Sequence, residues 1–255
     1  MSKRQRFVIS SFVLSLGFIT IQFIEERFKI LGISLLGFLT LILFWWGLWE
    51  GLGKDMTLVS LVLPFLFTVS VGFFWFLLPA NILARLPVII LFGIGNYVLF
   101  LTMNIYTVSA VRTIALLRAA RGVGFVLTLL VSFLIFDTIL SLRLPLWLTP
   151  LLIGFTSFPI LLQGFWSVSL EKEYEKRLFY LSGVTTLVIV EMSMTLYFWP
   201  VTLVVGSLFL TVGVYMLVGL GQALLEGRLF IQTIKEYLLV GILVFMGMSL
   251  ATHWG

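Results

Sequence analysis

The sequence predicts an all-α, polytopic integral membrane helix bundle of about nine transmembrane helices, N-in and C-out. Three observations predict it. Hydrophobic residues are 61% of the 255 and charged residues 11%, against roughly 25% charged in a soluble domain. The apolar residues lie in runs of about 20, the length that crosses a hydrocarbon core as a helix. Lys and Arg are divided unevenly between the two sides that such crossings define. Leu-, Ile- and Phe-rich blocks without strict alternation argue against a membrane β-barrel.

The first segment, Phe7–Ile24, follows MSKRQR and ends in ITIQFIEERF, with no small-x-small cleavage site, so an uncleaved signal anchor is expected. Ile30–Trp49 starts after the charged turn Glu25–Lys29 and closes on Trp45, Trp46 and Trp49. Thr57–Leu78 lies between Asp55 and Pro79, and Leu86–Met103 starts beside Arg85 and Pro87. Gly122–Leu142 is bounded by Arg121 and Arg143, and Leu144–Ser167 has a Trp near each end. Leu178–Trp199 follows the charged run EKEYEKR, Val201–Leu220 follows Pro200, and Leu238–Thr252 follows Lys235 and Glu236. The whole chain reads as one transmembrane domain with no separate soluble domain.

Placing the N-terminus inside puts Lys3, Arg4, Arg6, Lys54, Arg112, Arg118, Arg121, Lys172, Lys176, Arg177, Arg228 and Lys235 on the inner side. Only Arg27, Lys29, Arg85 and Arg143 fall outside, which is the positive-inside bias. All eight Trp lie near predicted helix ends, where an aromatic belt is expected. Pro79, Pro87, Pro145 and Pro200 cluster at outer ends, whereas Pro64, Pro150 and Pro159 fall within segments and are expected to kink them. Two short stretches, Asn104–Arg121 and Gly221–Tyr237, are expected outside the hydrocarbon on the inner side; the first reads as an interfacial helix or an extension of the fifth. EERFKILGIS after the first segment and EKRLFYLSGV after the sixth hint at an inverted repeat of helices 1–4 and 6–9, against which the unmatched prolines count.

The net charge of +5 fits inner loops facing anionic lipid rather than nucleic acid. The chain has no Cys and one His, which excludes disulfides, thiolate metal sites, Cys nucleophiles and any multi-His site within it. GLWEGLGKD (Gly47–Asp55) is not a phosphate loop, because its Gly spacing is wrong and Asp55 stands where Ser or Thr would hold magnesium. Hydrolase, metalloprotease and dinucleotide-binding motifs do not occur. Neither a metal nor a cofactor is expected. Gly47 with Gly51, and Gly247 with Ala251, are small-residue pairs of the kind that bring helices together.

The candidate site residues are the charges inside apolar segments. Glu191 lies past the middle of the seventh, where a charge costs about 2.5–3.5 kcal/mol to insert. The ten Leu, Ile, Phe and Val residues of Leu178–Trp199 return about 3–6 kcal/mol. Insertion is therefore tolerated, but Glu191 is expected to face the bundle or water, with Thr195 one turn on as a hydrogen-bond partner. Asp137 in the fifth segment is the second candidate, nearer the outer interface. Asn96, Tyr97, Asn104 and Gln163 are available for an interior polar network. Arg112, Arg118 and Arg121 form an inner basic patch facing lipid headgroups.

The run MSMTLYFWPVTLVVGSLFL with LEGRLFIQTIKEYLLVGILVF resembles uncharacterised prokaryotic membrane proteins of similar length, which implies no activity. The expected location is a cell (cytoplasmic) membrane. The first functional expectation is a non-catalytic membrane component or complex subunit, meeting lipid and membrane protein partners or its own copies. The second is a small-solute or ion transporter that uses Glu191, Thr195 and Asp137. The third is a lipid-processing enzyme, which the absence of His or carboxylates beside the Arg patch disfavours.

Overall fold

The computed structural model describes residues 2–52, 56–79, 82–109, 115–170 and 175–252. Among the described residues the chain is all-helical, with nine α-helices and no strand. They are α1 (Lys3–Ile21), α2 (Glu26–Leu48), α3 (Val62–Phe74), α4 (Ile82–Ser109), α5 (Leu117–Ser141), α6 (Leu148–Ser169), α7 (Lys176–Tyr197), α8 (Leu203–Leu225) and α9 (Ile231–Ala251). Tighter 3-10 turns over Met56–Leu61 and Trp75–Leu77 extend α3 at both ends. Nine segments of the described chain are helical, long and apolar enough to cross a membrane.

The helices run further than the apolar runs. α4 and α5 extend into the first expected surface stretch, and α8 and α9 take most of the second, leaving Glu226–Phe230 between them. Once a helix is nucleated, each added residue contributes a backbone hydrogen bond, so polar residues such as Asn104, Gln222 and Gln232 continue it. The prolines redistribute accordingly. Pro150 falls at the third residue of α6, where the N–H has no intrahelical acceptor to lose, whereas Pro64, third in α3, follows directly on the 3-10 turn and so lies inside a continuous helical stretch. Pro159 stays internal, and the earlier start of α4 makes Pro87 internal as well.

The chain forms two compact units. The first spans Met1–Gly124 and takes in Leu170–Tyr174. Within it α1 packs on α2 and α4, and α2 packs on α3. Ser2 caps α1: its hydroxyl accepts from the Gln5 amide while Gln5 Oε1 accepts from the Ser2 amide, which satisfies two donors that the first turn leaves open. Two aromatic layers fill the core. Phe100 stacks on Phe7 at 5.2 Å and on Phe44 at 3.6 Å. Further along, Phe92 meets Phe18 at 4.7 Å and Phe67 at 5.8 Å, and Phe18 meets the edge of Trp75 at 5.1 Å. Gly47 and Gly51 pack against Phe100 and Thr107 of α4, so this small-residue pair closes the unit internally.

The second unit spans Phe125–Ser169 and Glu175–Gly255. α6 lies along α7, and α8 touches α6, α7 and α9. Glycine permits these approaches: a Cβ at Gly221 would run into the Phe165 ring, and one at Gly219 into the Tyr237 ring. The Gln222 amide donates to Gly164 O at 2.9 Å across the α6–α8 contact. α9 rests mainly on α8, and 6% of its apolar window is buried, against 67% for the third span. Its far end is held by Trp199, whose indole donates to the Thr252 hydroxyl at 2.8 Å. The extensive packing of α1 on α4 has no counterpart between α6 and α9, so the contacts do not follow the inverted repeat.

The tryptophans also divide. Trp45, Trp46, Trp49 and Trp147 are exposed, as a belt requires, but Trp75 and Trp166 are buried core residues. Trp254 lies outside the described residues.

Candidate functional site

The two carboxyls within apolar helices both belong to the second unit. Asp137, four residues before the end of α5, is buried. The Ser207 hydroxyl of α8 lies 3.2 Å from Asp137 Oδ1 and 2.9 Å from its own Val204 carbonyl, so one hydrogen is shared between two acceptors. Ser207 was not among the sequence candidates. The signal available for it was a lone Ser in the apolar run LVVGSLFL, the residue type that joins helices by hydrogen bonds in membranes.

Glu191 takes the opposite position. It is exposed on α7, flanked one turn to either side by exposed Leu187, Val188, Met194 and Thr195. Among the described residues no hydrogen bond or ion pair engages its carboxyl. Of the two expected placements, facing the bundle or facing water, the exposed position excludes the first. The helical period places it with Tyr180, Val184, Leu187 and Met194, all exposed, whereas Ile189, Ser193, Thr186 and Ser182 form the buried face. The expected partner is corrected: the Thr195 hydroxyl donates to Met192 O at 2.7 Å, which returns it to its own helix. Asp137 and Glu191 thus form no common pair, one being turned into the unit and the other away from it.

Beside that face runs an apolar groove of about 340 Å³ floored by α8. Val188 and Met192 line one wall, Gly241, Ile242 and Phe245 the other. No charged side chain lines it.

The basic patch is only partly placed. Arg118 is exposed and Arg121 half-buried on the first turns of α5, while Arg112 lies outside the described residues. Of the other polar candidates, Asn96 and Gln163 are buried. The Gln163 carbonyl is 3.5 Å from the Thr128 hydroxyl, while Tyr97 lines an outward groove on α1 and α4. Among the described residues no three His, Asp or Glu side chains gather into a metal site.

One ion-pair cluster was missed from sequence. Glu50, just past α2, receives Lys3 Nζ at 3.0 Å and the Arg6 guanidinium of α1. Arg6 also donates to Trp46 O at 3.4 Å. The hydrogen bonds from Arg6 and then Lys3 hold the Glu50 carboxyl below its usual value of 4.5. The readable signal was a carboxylate next to Trp49 on the same predicted side as the basic N-terminus.

No curated protein and no solved structure matches the chain. A family model described as a protein of unknown function, DUF5656, matches residues 50–251, from the end of α2 to the end of α9, and the chain belongs to that family.

Proposed function

We propose that this chain is a multi-pass protein of a cell membrane, N-in and C-out, that serves as a non-catalytic assembly component and docks a partner helix across the exposed face of α7. The placement of Glu191 carries the reading. A carboxyl six residues from the end of α7 sits about 9 Å inside the helix terminus. Facing hydrocarbon there, it pays a desolvation cost with no compensating hydrogen bond. A polar or basic side chain on a partner helix removes that cost, and apolar Leu187, Val188 and Met194 around it supply the remaining contact. The excess of Lys and Arg on one side supports the orientation.

Transport is the weaker reading because a coupling carboxylate belongs in an interior path. Asp137 is closed against Ser207, and the groove beside Glu191 is apolar. Lipid chemistry is weaker still, since among the described residues no three His, Asp or Glu side chains gather to supply acid–base groups.

The absence of Cys makes the test direct. Single cysteines at 187, 191 and 194, with 189 and 137 as buried controls, are treated in native membranes with a membrane-permeant thiol cross-linker. A discrete adduct at the three α7 face positions and none at the controls is expected. An adduct of twice the chain's mass identifies a second copy as the partner. Reaction at 191 with an impermeant maleimide, without any adduct, would establish an aqueous path and replace this reading with transport. Silence at all face positions would mean a lipid-facing helix and would refute docking.

A further inference from the structure

Between the two aromatic layers of the first unit lies a band of polar side chains. Ser10 of α1, Thr40 of α2, Thr68 of α3 and Asn96 of α4 are all fully buried. The heights of Ser10, Thr40 and Asn96 agree because each is set from the same stacked rings, and Thr68 joins them through its contact with Thr40. Thr40 and Asn96 stand one turn, about 6 Å, from Phe44 and Phe100, and Ser10 stands about 4.5 Å from Phe7 along its helix. All three displacements run toward the Phe18–Phe92 layer, since α1 is antiparallel to α2 and α4.

The hydrogen bonds within this band are incomplete. Thr40 donates to Leu36 O at 2.9 Å, so the 2.9 Å contact between the two threonine hydroxyls takes its hydrogen from Thr68. Thr68 Oγ1 then keeps a free lone pair. Asn96 Nδ2 donates to Phe92 O at 3.0 Å, which fixes the amide orientation and leaves Oδ1 as an acceptor. Asn96 Oδ1 and Ser10 Oγ are buried without any hydrogen-bond partner in the protein. A buried amide or hydroxyl left in that condition is destabilising, and two in one layer is an arrangement that a ligand resolves.

We propose that this layer binds a neutral, water-sized ligand, a water molecule, that accepts from the Ser10 hydroxyl and donates to Asn96 Oδ1. The chemistry selects it. No charged side chain belongs to the band, so an ion placed there would lose its hydration without a counter-charge. Internal waters characteristically make two to four hydrogen bonds to groups that would otherwise be unsatisfied. Ser10, Asn96 and the open lone pair of Thr68 supply the polar groups for such a molecule.

The test starts with the full wild-type chain in bilayers. Its asparagines are Asn81, Asn96 and Asn104, so 15N-Asn labelling gives three side-chain amide signals. Water-edited solid-state NMR is expected to transfer magnetisation from a slowly exchanging water to the Asn96 amide, and to lose that transfer on Ser10→Ala. A thermal-unfolding cycle of Ser10→Ala, Asn96→Leu and the double variant gives an independent sign. With bound water each single variant lowers Tm, and the double variant lowers it no further than the larger single one. If the atoms are merely desolvated, Asn96→Leu raises Tm, the two changes add, and no transfer is seen, which overturns the proposal. A wild-type Tm that rises with sodium over choline, and loses that rise in both variants, overturns it in favour of a cation.

Discussion

Asp137 and Glu191 pose the same physical problem in one unit and meet it in opposite ways. On α5, Asp137 is buried and shares the Ser207 hydrogen, so its polar contact is made within the unit. On α7, Glu191 stands exposed among Val184, Leu187 and Met194, and its contact must come from outside. A carboxyl inside an apolar helix is therefore not one kind of signal. Its meaning depends on which face of its helix the neighbours cover, and here the two faces separate a group bonded within the unit from one left to its surroundings.

The contrast is broken most strongly at Asp137. Asp137→Ala removes an acceptor and leaves a small cavity against α8, with an expected loss of about 1–3 kcal/mol in unfolding free energy. Denaturant titration in detergent measures it, and a loss as small as that of Glu191→Ala would erase the distinction. Ser207→Ala is milder, about 0.6 kcal/mol, because interhelical hydrogen bonds in membranes average that much and Val204 O already competes for the hydrogen. Asp137→Asn keeps the acceptor and should fall below Ser207→Ala in the same assay. Glu191→Leu is expected to leave the isolated chain within about 0.5 kcal/mol of wild type, as exposed positions do. The same substitution should weaken the α7 cross-link, introduced then at 187 and 194. The smallest effect belongs to Glu50. Its carboxyl is held below 4.5 by Arg6 and Lys3, so the link between α1 and the end of α2 stabilises the fold at neutral pH. That contribution fades as pH falls below 4.5 through the lower folded value, so Glu50→Gln should lower Tm slightly at neutral pH, flatten this acid limb and converge with wild type at low pH. An equally steep acid limb in the variant would show that Glu50 is not its source.

The architecture was legible because spans are set by local quantities. Apolar run length, flanking charge and the need to satisfy backbone groups within a segment identify nine helices without knowledge of their neighbours. The helix ends were less legible, since Gln222 and Gln232 are polar yet continue α8 and begin α9. Tryptophan misled at Trp75 and Trp166, because a ring near a helix end satisfies a belt or a core equally well until packing is known. The pair Gly47 and Gly51 does bring helices together, but which helix it meets, α4 through Phe100 and Thr107, was not readable from its spacing.

By itself, then, the sequence determined the helical class, the spans and the presence of two carboxyls and an Asn within them. Hydropathy and chain length act over a few turns and need no partner helix. Only the tertiary structure decided which face of α7 is covered, that Ser207 meets Asp137, and that Ser10, Thr40, Thr68 and Asn96 share one level. Those outcomes depend on rotation about each helix axis and on contacts between residues 28 to 70 apart in the chain, as for Thr40–Thr68 and Asp137–Ser207. In helices that are apolar almost all round, periodicity is a weak guide to that rotation, and packing settles it.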